Sequence, residues 1–301
     1  MNKMTRRPPK NPFPIHDLAN VNSYCPELYA LEYGDRVVDI PFYVDHATRS
    51  GGPVLELGCG AGRITIPIAE AGVEVHGMDN SGDMLIELSL KLDGKLPLGI
   101  IARNVVEEDW RDVSALPFPL VIAPFNLLTH IHDTKDVRDL LDRVRFMLAF
   151  EGRFVFDVSI PHPILYATRT EEDCYGQEVR NTGLDARGLP IYKLTHEEGW
   201  YDPIESIRYV RYVYEDAVDM TPEQMESATP DDLFPSDGAE ERRRSLEFLL
   251  RLRTVSEWRL LLDWCGFEVV AEWGGFSGEE LTGESIRYVV ECRVADKGGD
   301  A

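Results

Sequence analysis

The sequence predicts an α/β protein. Its main body is an open, mostly parallel sheet flanked by helices, and an antiparallel β-rich element is inserted late in the chain. Three observations predict this. Short apolar runs alternate with segments of helical periodicity between residues 53 and 158. The first run, Val54-Leu-Glu-Leu57, stops at Gly58-Cys-Gly-Ala-Gly62 and is followed by a helical pattern, as at the carboxyl end of a sheet's first strand. The alternation fails after Pro161, and residues 190–215 read as two β-rich runs joined around Asp202-Pro203.

Each element follows from local pattern. Residues 1–20, rich in Pro and basic groups, read as a loose arm. Apolar residues near helical spacing (Leu28, Leu31, Val37, Val38, Ile40, Phe42, Val44) predict one or two helices broken near Gly34 and Pro41. Residues 53–57, 73–78, 98–102, 120–125 and 153–158 read as strands. Residues 62–71, 83–92 and 137–150 read as helices, the first shortened or kinked by Pro67. Residues 216–243 are acidic, poor in large apolar groups and broken by Pro222, Pro230 and Pro235, which predicts a mobile loop. Thr254-Val-Ser-Glu257 is a capping box ahead of a helix over 258–264 that Gly266 ends. Strands over 267–273 and 286–294 close the chain. The expected organisation is an arm over 1–20, a core over 21–159 and 245–296, and an inserted element over 160–244.

Composition narrows the function. The 301 residues are 44% hydrophobic and 28% charged, which is the make-up of a folded chain. Acidic residues number 53 against 31 basic, for a net charge of −22 that repels phosphate backbones and anionic lipids. Nucleic acid and membranes are therefore not the expected partners. No apolar run follows the basic start, so no signal peptide is expected, and no stretch reaches membrane-spanning length. The five cysteines include no CxxC pair, which argues against a zinc knuckle or disulfide framework and for a reducing cytoplasm. His130, His132 and Asp133 have no third ligand at a clear spacing, so no metal is expected.

The glycine loop is the informative segment. Glycine suits backbone at positive φ and main chain that a ligand must touch. A dinucleotide fingerprint would read GxGxxG; here Arg63 takes the third glycine's position and glycine falls one residue early, at Gly62. A GxxxxGK[ST] phosphate loop is absent. Asp79 ends the second strand, placed to accept both hydroxyls of a ribose. Glu56 lies inside a buried strand, where an acid is costly unless it has a task such as holding an ammonium. The pair favours a nucleoside with a cationic amino-acid tail over a diphosphate.

At these residues the chain resembles the class I S-adenosylmethionine-dependent methyltransferases. The motifs are VLELGCGAGR (54–63), GMDNSGDML (77–85), Glu108-Asp-Trp110, LVIAPFNLLTHI (120–131) and the late Leu261-Leu-Asp-Trp-Cys-Gly-Phe267. They cover about residues 24–160 and 245–294. Tyr29-Ala-Leu-Glu-Tyr33 resembles the lid of small-molecule members, including glycine and amino-sugar N-methyltransferases. The resemblance implies a Rossmann-like, seven-stranded sheet in the order 3-2-1-4-5-7-6 with strand 7 antiparallel. It implies S-adenosyl-L-methionine as cofactor. Gly58, Gly60 and Gly62 would line its methionine part, Glu56 its amino group, Asp79 its ribose, Met84 one adenine face, and Asp109 with Trp110 the adenine edge. Asn126 would lie by the methyl, Tyr33 would cover the cofactor, and Cys59 and Asn80 complete the implied set. Two departures are Phe118-Pro119-Leu120 for the usual Phe-Asp-Leu, expected to alter a turn, and Arg153 after a single Gly152.

Methyl transfer from a sulfonium is an in-line displacement, in which the protein supplies alignment, dryness and, where needed, a base. His130 is the candidate base, with an ordinary pKa of about 6.5. Tyr29 is the candidate aromatic face for the sulfonium. A small-molecule amine is the expected acceptor, with a phenolic or carboxyl oxygen as the alternative. The competing classes are a nicotinamide-dependent dehydrogenase and a non-catalytic cofactor-binding module. The insert is expected to cap the acceptor and is a candidate for homodimerisation. Its tyrosines and Trp200 either wall an aromatic acceptor or pack an interface.

Overall fold

The structure is a computed structural model. It describes residues 25–92, 94–106, 109–114, 117–162, 174–184, 190–225 and 227–296. The arm over 1–20, Glu107, Glu108 and the side chains of Cys174, Tyr192 and Trp200 lie outside what is described. Two compact units are present. One contains residues 24–167, 201–209 and 249–301; the other includes 168–200 and 210–248.

The first unit is built on a seven-stranded sheet of β1 (Val54–Leu57), β2 (Val75–Asp79), β3 (Leu98–Ala102), β4 (Phe118–Ala123), β5 (Leu148–Ser159), β10 (Phe267–Trp273) and β11 (Arg287–Val294). Its order is β10-β11-β5-β4-β1-β2-β3, and β11 runs against both neighbours while the other pairs are parallel. This is the expected 3-2-1-4-5-7-6 arrangement. β1 is buried at all four residues because helices cover both faces. Alternate side chains separate accordingly. Leu55 and Leu57 join the core with α5 (Thr134–Met147) and α9 (Val255–Trp264). Val54 joins the core with α2 (Ile40–Ser50) and α3 (Thr65–Glu70).

The helices form where their signals lie. In α5, Val137, Leu140, Leu141 and Val144 are all buried, and the Asp133 carboxylate accepts the Lys135 amide at 2.7 Å as N-cap. The capping box of α9 is present in both directions, and Gly266 leaves it at φ +78°. Ser81 caps α4 (Gly82–Lys91), whose Met84, Leu85 and Leu88 are buried.

The break between helices falls where expected, near Gly34 and Pro41: α1 (Pro26–Tyr33) ends at Gly34, and Pro41 sits within the first turn of α2, where its missing N–H is harmless. Two expectations change. Pro119 lies inside β4 at a register shift against β5, so the departure falls in a strand instead of a turn. Residues 216–243 hold three short helices instead of a mobile loop: α6 (Pro222–Met225), α7 (Pro230–Leu233) and α8 (Ala239–Arg242). Local polar bonds order them. Thr229 and Asp232 form a capping box around α7, and Arg242 reaches the buried Glu215 at 2.9 Å.

The second sheet is four-stranded, in the order β6 (Cys174–Leu184), β7 (Pro190–Asp202), β8 (Ile207–Asp216), β9 (Arg243–Arg251). β6 and β7 pair antiparallel. The β7–β8 connection turns on Asp202, whose carboxylate accepts the Ile204 amide at 2.8 Å. Of the insert's tyrosines, Tyr201, Tyr209 and Tyr214 are buried. No helix among the described residues is long and apolar enough to cross a membrane.

Candidate functional site

β1 pairs with both β2 and β4, so these three strands deliver their carboxyl ends side by side. The glycine loop follows β1, and its three glycines answer three different demands. All have positive φ: 69° at Gly58, 53° at Gly60 and 86° at Gly62. A Cβ at Gly58 would come 2.7 Å from Leu127 Cδ1, and one at Gly62 2.4 Å from Leu88 Cδ1 on α4. At Gly60 it would meet nothing within 4 Å. Gly62 thus supplies close helix packing one position before the usual third glycine, and Gly60 leaves bare main chain beside open space.

Two carboxylates frame that main chain. Asp79 accepts the Gly60 amide on Oδ2 and the Ser81 amide on Oδ1, both at 2.8 Å. Burial raises its pKa. Glu56 is 2% exposed and accepts the Thr65 hydroxyl at 2.5 Å. Burial pushes Glu56 up to about 8, against the opposing pull of Thr65 and Arg63. A cation is the partner that would relieve such a group.

Arg63 has a task the sequence did not show. Its fork closes on Asp39 at 2.6 and 2.7 Å, and it donates to the Arg36 carbonyl at 2.9 Å. Its guanidinium carbon lies 4.7 Å from the Phe125 ring centroid. Phe125 also meets Tyr33 at 5.0 Å and Tyr29 at 6.3 Å, and the two tyrosines lie 4.9 Å apart. Burial pushes the Tyr29 hydroxyl up to about 12, so it keeps its proton at neutral pH.

Beyond β4 the chain turns through Phe125 and Asn126 at φ 57° and 64°. Left-handed backbone in such residues costs about 1–3 kcal/mol each and persists only where its surroundings impose it. Here Phe125 N–H donates to Asp157 Oδ1 at 2.7 Å, and Asn126 Oδ1 accepts the Ser159 amide at 2.5 Å. The 3₁₀ turn Leu127–His130 follows. Burial, helped by neighbouring His132, pushes the His130 imidazole down to about 4, below the ordinary value expected from sequence. His130 is therefore neutral at pH 7. His132 bonds the Leu249 carbonyl at 2.8 Å, and Arg253 donates to the carbonyls of Ile131 and His132. Among the described residues no cluster suits a metal ion.

The remaining expected residues are more scattered. Cys59 is buried under the loop, its thiol raised by burial, and a Cβ at Gly77 would come 2.9 Å from its Sγ. Met84 is 2% exposed in the first turn of α4, while Asn80 is exposed beside Asp79. Trp110 is 2% exposed within the core. The Asp109 carboxylate points to Arg111, which holds it at about 2. Arg103 ties this segment to the sheet: its amide donates to the Asp79 carbonyl at 2.8 Å and its side chain to Asp109 and Asp112. Asp39, Phe125 and Asp157 were missed from sequence. For Asp157 the signal existed, an acid inside the apolar run Phe154-Val-Phe-Asp-Val158, the same signal that marked Glu56.

Residues 55–154 match a family model described as a methyltransferase domain. The chain is 29% identical over 118 residues to the Bacillus subtilis protein YqeM, itself assigned to the methyltransferases. That match covers 38% of this chain and spans just under half, 46%, of the relative. Among solved structures, the fold is similar to S-adenosylmethionine-bound CalS10, an amino pentose methyltransferase from Micromonospora echinaspora. The TM-score is 0.60 at 17% identity, over 90% of this chain and 98% of that one. It is also similar to the sugar N-methyltransferase KedS8 from Streptoalloteichus, with a TM-score of 0.60 at 13% identity, over 92% and 98% of the two chains.

Proposed function

We propose that this chain, whose residues 55–154 match a methyltransferase domain, is a class I S-adenosylmethionine-dependent methyltransferase that methylates an amine nitrogen of a small molecule. The observation that carries the reading is the pair of carboxylates, Glu56 and Asp79, set around the open main chain of Gly60. A pyrophosphate would face two acids there; a nucleoside with a cationic tail finds partners for both its hydroxyls and its ammonium. Arg63, the basic group of the loop, is committed to Asp39.

The residues fit S-adenosyl-L-methionine, which when bound supplies a methyl group activated on a sulfonium. In this reading Gly58, Gly60 and Gly62 admit the methionine part, Glu56 receives the ammonium and Asp79 the ribose. Met84 would lie against one adenine face and Asp109 with Trp110 along the adenine edge, Cys59 and Asn80 complete the cofactor set, and Tyr33 closes over the top. Tyr29 offers an aromatic face to positive charge, and Asn126 lies beside the methionine and the methyl. His130 is the base expected from sequence, but with its pKa pushed down to about 4 it is a poor acceptor for the proton of an ammonium at pH 7. In this reading the amine arrives already neutral, and His130 accepts a hydrogen bond from it. Alignment alone is worth roughly 7–11 kcal/mol, so His130 adds to turnover without being its sole source. The similar structure of KedS8, a sugar N-methyltransferase, supports nitrogen as the acceptor atom. Oxygen of a phenol or carboxylate is the second reading, favoured by the aromatic cluster of Tyr29, Tyr33 and Phe125. The insert, 160–244, would choose the acceptor and join two copies, with the arm (1–20) outside the core (21–159, 245–296). A reducing cytoplasm suits the four described cysteines, all free.

The test is calorimetry with S-adenosylmethionine, followed by turnover on a panel of small amines and phenols. Asp79→Ala is expected to weaken cofactor binding tenfold or more, and unchanged affinity would remove the ribose assignment. His130→Ala is expected to lower turnover more than affinity.

A further inference from the structure

Asp157, near the end of β5, has no part in the chemistry above, yet it is fully buried and bonded on every side. Its Oδ1 accepts the Tyr43 hydroxyl and the Phe125 amide, each at 2.7 Å. Its Oδ2 meets Arg287 Nη1 at 2.5 Å. Its carbonyl takes the Asn126 amide at 3.2 Å, and two residues on the Ser159 amide donates to Asn126 Oδ1. The end of β5 therefore grips both residues of the left-handed turn beyond β4, by main chain and by side chain.

We infer that Asp157, steadied by Tyr43 and Arg287, is a positioning residue that holds the Phe125–Asn126 turn at the acceptor side of the methyl-transfer site. The inference rests on the reading of that site given above. Three arguments support it. A buried ion pair is a poor device for stability alone, since an apolar replacement often serves as well. A phenylalanine at φ 57° is strained where a glycine would not be, and its ring is the one against which Tyr33, Arg36 and Arg63 all pack. The residue after the turn, Leu127, packs over Gly58, so any change in the pitch of the turn reaches the glycine loop directly. A carboxylate serving only the core would contribute to stability and leave the turn to set itself.

Asp157→Asn keeps the shape but removes the charge that two donors and Arg287 share. In the full chain with S-adenosylhomocysteine, hydrogen exchange at the Phe125 and Asn126 amides is expected to quicken tenfold or more, with the amides of β1 unchanged. Turnover on the fastest amine or phenol of the panel above, at saturation, is expected to fall at least tenfold while the dissociation constant of S-adenosylhomocysteine stays within threefold. Tyr43→Phe removes one bond to the same oxygen and is expected to shift exchange and turnover in the same direction by less; it serves where the first variant does not fold. Unchanged exchange at 125–126 overturns the inference. So does a parallel loss of cofactor affinity, melting temperature and turnover, which is the mark of a core group alone. A wild-type protein that binds no S-adenosylhomocysteine would instead sink the methyltransferase reading, and exchange in the free protein would still report on the turn.

Discussion

Gly60 and Gly62 share a sign of φ and differ in what surrounds them, so the same substitution should separate their roles. Gly62→Ala forces a Cβ into Leu88 and strains the backbone, and is expected to cost about 2–4 kcal/mol in urea melts. Gly60→Ala meets only the backbone strain, about 1–2 kcal/mol, but places a methyl group on the main chain the cofactor would touch. Its larger effect should appear in calorimetric affinity. Glu56 makes a prediction about pH. Its folded pKa of about 8 lies above the unfolded value near 4.5, so the folded state holds the extra proton between them. The stability of the free protein should fall as pH rises through that window, and Glu56→Gln should flatten the dependence. An ammonium bound there favours the carboxylate. Cofactor binding at pH 7 should therefore release protons, read as a heat that changes with the ionisation enthalpy of the buffer.

At the scale of elements, the Arg63–Asp39 pair fastens the glycine loop to the start of α2. Asp39 is 1% exposed, so Arg63→Ala leaves a buried carboxylate without its partner. A loss of about 3–5 kcal/mol is expected by denaturant unfolding. Arg63→Lys, which keeps the charge but not the fork, should fall between the two. The elements also show where sequence reasoning reaches and where it stops. The strands, α4, α5 and α9 were legible because period, caps and glycines are local signals. Pro41 marked a helix boundary as expected, because a residue without an N–H is tolerated in a first turn and not in an interior. Residues 216–243 misled because composition weighs apolar content, while their order comes from Thr229, Asp232 and the reach of Arg242 to Glu215.

For the whole molecule, the cofactor's product is the sharpest probe. S-adenosylhomocysteine at a hundred times its dissociation constant should add about 2.7 kcal/mol, and raise the melting temperature by about 5–10 °C. NAD at the same concentration should leave it unmoved; the opposite result would favour the dehydrogenase reading. The charge of −22 belongs to this scale too, and acts on partners without selecting the fold. By itself the sequence determined the sheet, its order through the resemblance, the glycine loop and the two acids beside it. These follow from neighbours along the chain: alternation, caps, and glycines at the end of an apolar run. Only the tertiary structure decided that Arg63 belongs to Asp39, that Phe125 is the centre of an aromatic and guanidinium stack, and that Asp157 holds the turn beneath it. Those partners lie from 24 to 130 residues apart, and no local periodicity records a contact that exists only once the sheet has brought its strand ends together.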